Sequence, residues 1–251
     1  MEQATLPKNV SLEPFKRVLT TCLAPKKERI LIIGDYGTEQ SQIGPLVTRC
    51  YASACKELGL NYEVVFQKAR IKGEKADEKV VRKLKELPEG SIIVLSISMF
   101  VGTLGDVGLS FRKFAHVKNH RFISASGLAG IPDSDPELFF KAIDIDYDAL
   151  KKRGDSIKKY FDKAKKIRIT TPAGTDVVVD VENMLAVNNA GSYQEPGTGG
   201  NLPAGEVYIP PLPTGVDGTL VIDGSLRTRK GTFLIEDQPV TLTIKKGDII
   251  E

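Results

Sequence analysis

Two short runs in this chain are apolar at consecutive positions, Arg29-Ile30-Leu31-Ile32-Ile33-Gly34 and Ser91-Ile92-Ile93-Val94-Leu95-Ser96-Ile97-Ser98. A strand with one wet face alternates between polar and apolar residues. One that does not alternate must be covered on both sides, as in the middle of a parallel sheet flanked by helices. The intervening segments fit that demand. Ser41 to Leu58 has helical spacing, Tyr62-Glu63-Val64-Val65-Phe66 reads as a strand, and Asp77 to Leu87 is a helix with Val80, Val81, Leu84 and Leu87 on one side. Arg121-Phe122-Ile123-Ser124 is a fourth strand, preceded by a helix holding Leu109, Phe111 and Phe114 and followed by a helical piece from Pro132 to Ala142. Residues Met1 to Lys27 read as a lead-in helix, with Leu12, Phe15, Val18, Leu19 and Cys22 at helical spacing, closed by Pro25. The rhythm β, α, β, α, β with right-handed crossovers predicts a Rossmann-like α/β lobe over residues 1–146, by pattern and not by a nucleotide fingerprint.

The pattern then changes. Residues 147–166 form a basic helix with a sparse apolar side of Leu150, Ile157, Phe161 and Ala164, expected to bridge two lobes. Residues 167–251 are strands and turns. Arg168-Ile169-Thr170-Thr171 and Thr175 to Asp180 flank the turn Pro172-Ala173-Gly174, and three more strands lie at Gly218 to Asp223, Thr232 to Ile235 and Val240 to Ile244. The second lobe is therefore expected to be mainly β. Lys246 to Glu251 reads as a turn and a strand that has only begun, which suggests a polypeptide that once continued.

Composition narrows the function classes. Net charge is +3 from 35 basic and 32 acidic residues, too small for a global field favouring nucleic acid or an anionic membrane. The apolar runs are far shorter than a bilayer span, so a soluble, cytoplasmic protein is expected. The cysteines Cys22, Cys50 and Cys55 are odd in number and lack paired zinc-ribbon spacing; they read as buried thiols.

The most distinctive stretch is Gly199-Gly200-Asn201-Leu202-Pro203-Ala204-Gly205-Glu206-Val207-Tyr208-Ile209-Pro210-Pro211. Glycines and prolines surround one carboxylate at the mouth of a short β run, so Glu206 is either a metal ligand on a stiffened turn or a solvated carboxylate at an edge strand. Other constellations are weaker. Gly34-Asp35-Tyr36-Gly37 sits where a Rossmann lobe grips pyrophosphate, but lacks the glycine spacing, and Asp35 would repel phosphate. Gly102, Gly105 and Gly108 are evenly spaced around Asp106, which reads as a flexible loop. His116 and His120 stand four apart without the glutamate a metalloprotease helix needs, and read as a solvated, cationic helix end. No activated serine is signalled in Ser124-Ala125-Ser126. The basic run Lys151, Lys158, Lys159, Lys163, Lys165, Lys166 and Arg168 is interleaved with Asp148, Asp155 and Asp162, as on a solvated helix face.

The blocks Ile167 to Asp176, Asn201 to Pro211 and Gly218 to Asp223, in that order and spacing, resemble the aminopeptidase T and aminopeptidase S family of metallopeptidases, the Asn-x-Pro-x-Gly-Glu-Val block being the most specific. The resemblance implies leucyl aminopeptidase-like removal of N-terminal residues from peptides. It also implies a pair of divalent ions (zinc, cobalt, manganese or magnesium) and a homodimer. It makes Glu206 a metal ligand, with Asn201, Pro203 and Gly205 supporting the motif. The family completes its metal set with a further glutamate, histidines and an aspartate. After Glu206 this chain offers Asp217, Asp223, Glu236, Asp237, Asp248 and Glu251, and no histidine. The expectation is an N-terminal portion that lacks the C-terminal part of the family fold and is inactive alone, with no identifiable catalytic residue. The alternatives are a non-catalytic binding or scaffold domain, and a relative of iron-dependent enzymes that open dihydroxypyridine rings.

Overall fold

A computed structural model describes residues 10–228, 231–235 and 238–251, apart from the side chains of residues 227, 231 and 232. The first nine residues of the expected lead-in helix, and Glu236 and Asp237 among the acidic residues named above, lie outside the described residues. The chain divides into two compact units, one of residues 1–152 and 189–205, the other of residues 153–188 and 206–251.

In the first unit, α1 (Glu13–Arg17) passes into π-type turns over Val18–Leu23 and stops at Ala24, whose φ of 44° caps the turn. There follow β1 (Ile30–Asp35), α2 (Ile43–Glu57), β2 (Tyr62–Gln67), α3 (Glu78–Glu86), β3 (Ile92–Ser96), α4 (Phe111–Val117), β4 (Arg121–Ala125) and α5 (Glu137–Ile143). Strands β1 to β4 pair in parallel in the order β2-β1-β3-β4. The unbroken apolar runs behave as their pattern demands. Ile30, Ile32, Ile92, Val94 and Ile123 join one buried cluster with residues of α1, α2 and α5, while Leu31, Ile33, Ile93, Leu95 and Phe122 join a second with residues of α3 and α4. Successive side chains thus feed opposite faces, and each face has its own helical cover. Helix α2 buries Ile43, Val47, Cys50, Tyr51 and Ala54, a stripe at helical spacing. Its close approach to β1 needs Gly34, where a Cβ would come within 2.3 Å of Thr48 Oγ1.

Helix α6 (Tyr147–Phe161) carries the chain out of this unit, and the boundary falls between Lys152 and Arg153, inside the helix and not at residue 146. Strands β5 (Lys166–Thr170), β6 (Asp176–Asp180) and β7 (Val187–Asn189) follow. The chain then returns to the parallel sheet, whose fifth strand is β8 (Gly199–Asn201), paired parallel to β4. Residues 189–205 therefore belong with the α/β unit and not with the β-rich one.

In the second unit β7 pairs with β9 (Glu206–Tyr208), and β11 (Ser225–Thr228) forms a hairpin with β12 (Gly231–Leu234). Between them in sequence comes β10 (Val216–Ile222); β13 (Val240–Lys245) and β14 (Asp248–Ile249) close the chain. The antiparallel sheet has the order β14-β13-β10-β6-β5. Its register places Ile167, Ile169, Val177, Val179, Val216, Leu220, Ile222, Val240, Leu242, Ile244 and Ile249 on one face. The other face is polar apart from Val178 and Val221. Of that apolar face only Val177 is buried; Ile169 is 48 % and Ile249 64 % exposed. Both buried clusters lie in the first unit. No helix among the described residues is long and apolar enough to cross a membrane.

Candidate functional site

The stretch around Glu206 is built by the first unit up to Gly205. Gly199 and Gly200 are glycines because β8 lies close against side chains on both sides. A Cβ on Gly199 would come within 2.2 Å of the Phe122 ring, and one on Gly200 within 2.3 Å of the Tyr193 hydroxyl. Asn201, at the strand's end, uses its Oδ1 to accept from the Ser124 hydroxyl at 2.9 Å and from Arg112 at 2.6 Å. The Arg112 guanidinium lies 5.7 Å from the centre of the Phe122 ring, a cation–π contact that holds it over the strand. The Leu202 N–H donates to the Ser124 carbonyl at 2.9 Å, and the Leu202 side chain is buried. A cis bond joins Leu202 to Pro203. Gly205 has φ +130°, which favours glycine, and its N–H donates to the Asn189 carbonyl at 2.9 Å. The Tyr193 hydroxyl reaches both Asn189 Oδ1 and the Asn201 carbonyl. Asn201, Pro203 and Gly205 thus form a turn tied down at both ends, after which Glu206 opens β9 with an exposed side chain. Serine and arginine supports for Asn201 come from β4 and α4, 77 and 89 residues away in sequence. Nothing in the sequence marks them.

A second constellation lies at the carboxyl ends of β1 and β3, where the strand order changes direction, the usual position of a ligand crevice in such sheets. Asp35 is fully buried there. It accepts from the Ser98 N–H and hydroxyl, both at 2.7 Å, and from the Gly37 N–H at 3.0 Å. Three donors for one carboxylate make Asp35 the clamp between two strand ends, not a group that merely repels phosphate. Gly44 completes the close fit, since a Cβ there would come within 2.7 Å of Ser98 Oγ. The signal available in the sequence was an acidic residue ending a wholly apolar strand.

The Gly102 to Gly108 loop is pinned rather than free. Thr103 exchanges backbone hydrogen bonds with Glu74 and Ala76 at 2.8 and 2.9 Å, and Asp106 pairs with Lys85 at 2.6 Å. This loop, with Lys75 and Phe111, walls a cavity of about 720 Å³.

The two histidines are not brought together as a helical pair. Helix α4 ends at Val117; His116 is exposed and its Nδ1 meets the Gly197 carbonyl at 3.1 Å. His120 is fully buried against Phe114, with neither ring nitrogen hydrogen-bonded among the described residues. The expectation of a solvated, cationic His120 is therefore wrong. Burial disfavours its charged form and lowers its pKa, an effect the nearby Ser91 carbonyl only partly opposes. The helix ended because Asn119, at φ 55°, turns the chain toward β4.

Cys22, Cys50 and Cys55 are buried free thiols, each pushed up to about 12 chiefly by burial. On the basic segment, Lys158 pairs with Asp162 at 2.7 Å and Lys165 with Glu182 at 2.9 Å.

Among the described residues no group of three or more His, Cys, Asp or Glu side chains is arranged to hold a metal ion. The donors among the described residues therefore do not by themselves make up the metal centre that the resemblance implies. Glu206 remains a single candidate ligand.

Comparison with known proteins places this architecture. No curated protein matches. Among solved structures, a 2,5-dihydroxypyridine dioxygenase from Pseudomonas putida superposes with a TM-score of 0.66 at 17% identity, covering 96% of this chain and 68% of the other. Wild-type AmpT from Thermus thermophilus superposes with a TM-score of 0.62 at 16% identity, covering 96% and 70%. Likeness at such low identity shows a shared fold, so the aminopeptidase resemblance holds at that level. A family model, that of NicX, 2,5-dihydroxypyridine 5,6-dioxygenase, matches residues 11–251. What the motif resemblance to aminopeptidase T retains is the shared fold, and the chain belongs to the NicX family.

Proposed function

We propose that this chain serves in metal-dependent ring opening of a dihydroxylated pyridine by molecular oxygen. In this reading Glu206 is one ligand of the metal, and the other ligands come from polypeptide other than the described residues. The observation that carries the reading is the family match over residues 11–251. The tied-down turn from Asn201 to Gly205 supports it, because a carboxylate whose backbone is already ordered binds a cation with less entropy to lose. When bound, the metal would supply the activation of oxygen and ring. The residues described here hold the turn: Ser124 and Arg112 fix Asn201, and Asn189 fixes Gly205. The second reading, aminopeptidase chemistry, rests on the fold shared with AmpT and on the Asn-x-Pro-x-Gly-Glu-Val block.

The test is to isolate the protein from its own cells, with whatever polypeptide accompanies it, and to offer 2,5-dihydroxypyridine with ferrous iron and oxygen. Loss of the ring's ultraviolet absorbance, abolished by Glu206→Gln, is expected. Hydrolysis of a leucyl anilide in place of ring opening would favour the second reading. Neither activity would leave a binding or scaffold domain. Residues 1–251 alone are expected to turn over neither substrate.

A further inference from the structure

Helix α2 and the outer strand β2 flank a partly open cavity of about 210 Å³, lined by Thr48, Arg49, Ala52, Val64 and Phe66. Such a volume is below the usual range for drug-sized ligands and has room for a single ring with a small substituent. Three of the lining residues are apolar. Phe66 is itself braced by Tyr36, whose ring stacks on it at 5.6 Å and 20°. Thr48 is not an available donor, since its hydroxyl already serves the Gly44 carbonyl at 2.9 Å and Ser96.

Arg49 is different. Its Nε is packed among protein atoms, and none of the ion pairs among the described residues involves its guanidinium, which lines the cavity. The carboxylate nearest in sequence on β2, Glu63, is already committed to Arg29 and Lys83. A guanidinium with no committed ion-pair partner can meet an anionic ligand through its terminal N–H groups without giving up an existing bond. Planar N–H donors beside an aromatic wall select a ligand with a flat apolar body and one carboxylate, matched in the paired geometry that arginine offers.

We propose that this cavity binds a small aromatic monocarboxylate, with Arg49 as its anion anchor and Phe66 and Val64 as its apolar wall. The site is separate from the Glu206 turn and does not depend on the reading given for it.

The probe is benzoate, titrated into the intact chain and followed by calorimetry and by chemical shifts of α2 amides, with acetate and inorganic phosphate as comparisons. Saturable benzoate binding is expected, stronger than that of either comparison anion. Arg49→Gln should weaken it about 10- to 100-fold, the range for losing a charge-assisted hydrogen bond. Arg49→Lys, which keeps the charge but not the fork, should lie between. Ala52→Leu keeps Arg49 and fills the space, and should also block binding, so a loss in both variants cannot be laid to charge alone. Because Arg49 makes no bond that the fold relies on, Arg49→Gln should unfold at the same temperature as the parent. Absence of saturable binding at millimolar benzoate would overturn the proposal. So would binding unchanged in Arg49→Gln, or acetate and phosphate binding as well as benzoate.

Discussion

Gly200→Ala tests whether the turn before Glu206 is held as described. Position 200 does not have a positive φ, so alanine meets no backbone objection. The obstacle is space: the added Cβ would lie 2.3 Å from Tyr193 Oη, 2.7 Å from Tyr193 Cζ and 2.7 Å from Asn189 Oδ1. Overpacking of this kind costs about 1–3 kcal/mol. Displacing the Tyr193 ring also sacrifices its hydroxyl bond. The hydroxyl reaches two acceptors, Asn189 Oδ1 and the Asn201 carbonyl, but its one proton serves one at a time, so a further cost of about 1 kcal/mol applies. The sum is about 2–4 kcal/mol. The chain has no tryptophan, so urea unfolding should be followed by far-ultraviolet circular dichroism. In a Tyr193→Leu background the two ring atoms that clash are gone while the Asn189 Oδ1 contact remains, so the same Gly200→Ala change should cost less than in the parent by about 1–2 kcal/mol. Equal costs in both backgrounds would refute the packing described here, as would a cost below about 0.5 kcal/mol in the parent.

Asp35→Asn replaces an acceptor of three hydrogen bonds by a group with its own N–H donors, and should lower stability by about 2–3 kcal/mol against about 1 kcal/mol for Ser98→Ala; thermal denaturation showing the reverse order would deny Asp35 its clamp. His120 is held below its ordinary pKa of 6.5 in the fold, so the unfolded chain binds the proton more readily. Stability is therefore complete above pH 6.5 and falls as pH drops through that value toward the folded pKa, by up to about 1.4 kcal/mol per pH unit. In His120→Leu this slope should vanish between pH 7.5 and 5.5, on the order of two units, and an unchanged slope would assign it elsewhere. The part-exposed apolar face of the antiparallel sheet should make the chain self-associate, and Leu242→Asp should reduce that; sedimentation showing a monomer at all concentrations in both would contradict it.

The α/β unit was legible because its strands are buried on both faces, so that Ile30 to Ile33 and Ile92 to Leu95 carry no alternation and admit few other arrangements. Strand β8 was not legible, because Gly199 and Gly200 have low β propensity. They are strand residues only because Phe122 and Tyr193 leave no space for a side chain, a tertiary fact. The unit boundary was missed for the same reason, since the return of residues 189–205 depends on that pairing. Of the candidate site, the turn and the position of Glu206 at a strand mouth were readable from local chemistry. Ser124, Arg112 and Tyr193 were not, because their contacts with Asn201 depend on the sheet that brings β4 beside β8. His120 misled because helical spacing was assumed past Val117, where the chain had already turned.

The measurement that bears most directly on the account is anaerobic calorimetric titration of ferrous iron into residues 1–251 and into the Glu206→Gln variant. A single carboxylate on an ordered turn should bind iron weakly, at a Kd on the order of 100 μM or above, and the variant should bind more weakly still. Micromolar or tighter binding would mean that the chain carries a full ligand set, and weak binding unchanged by Glu206→Gln would mean that Glu206 is not a ligand; either contradicts the account.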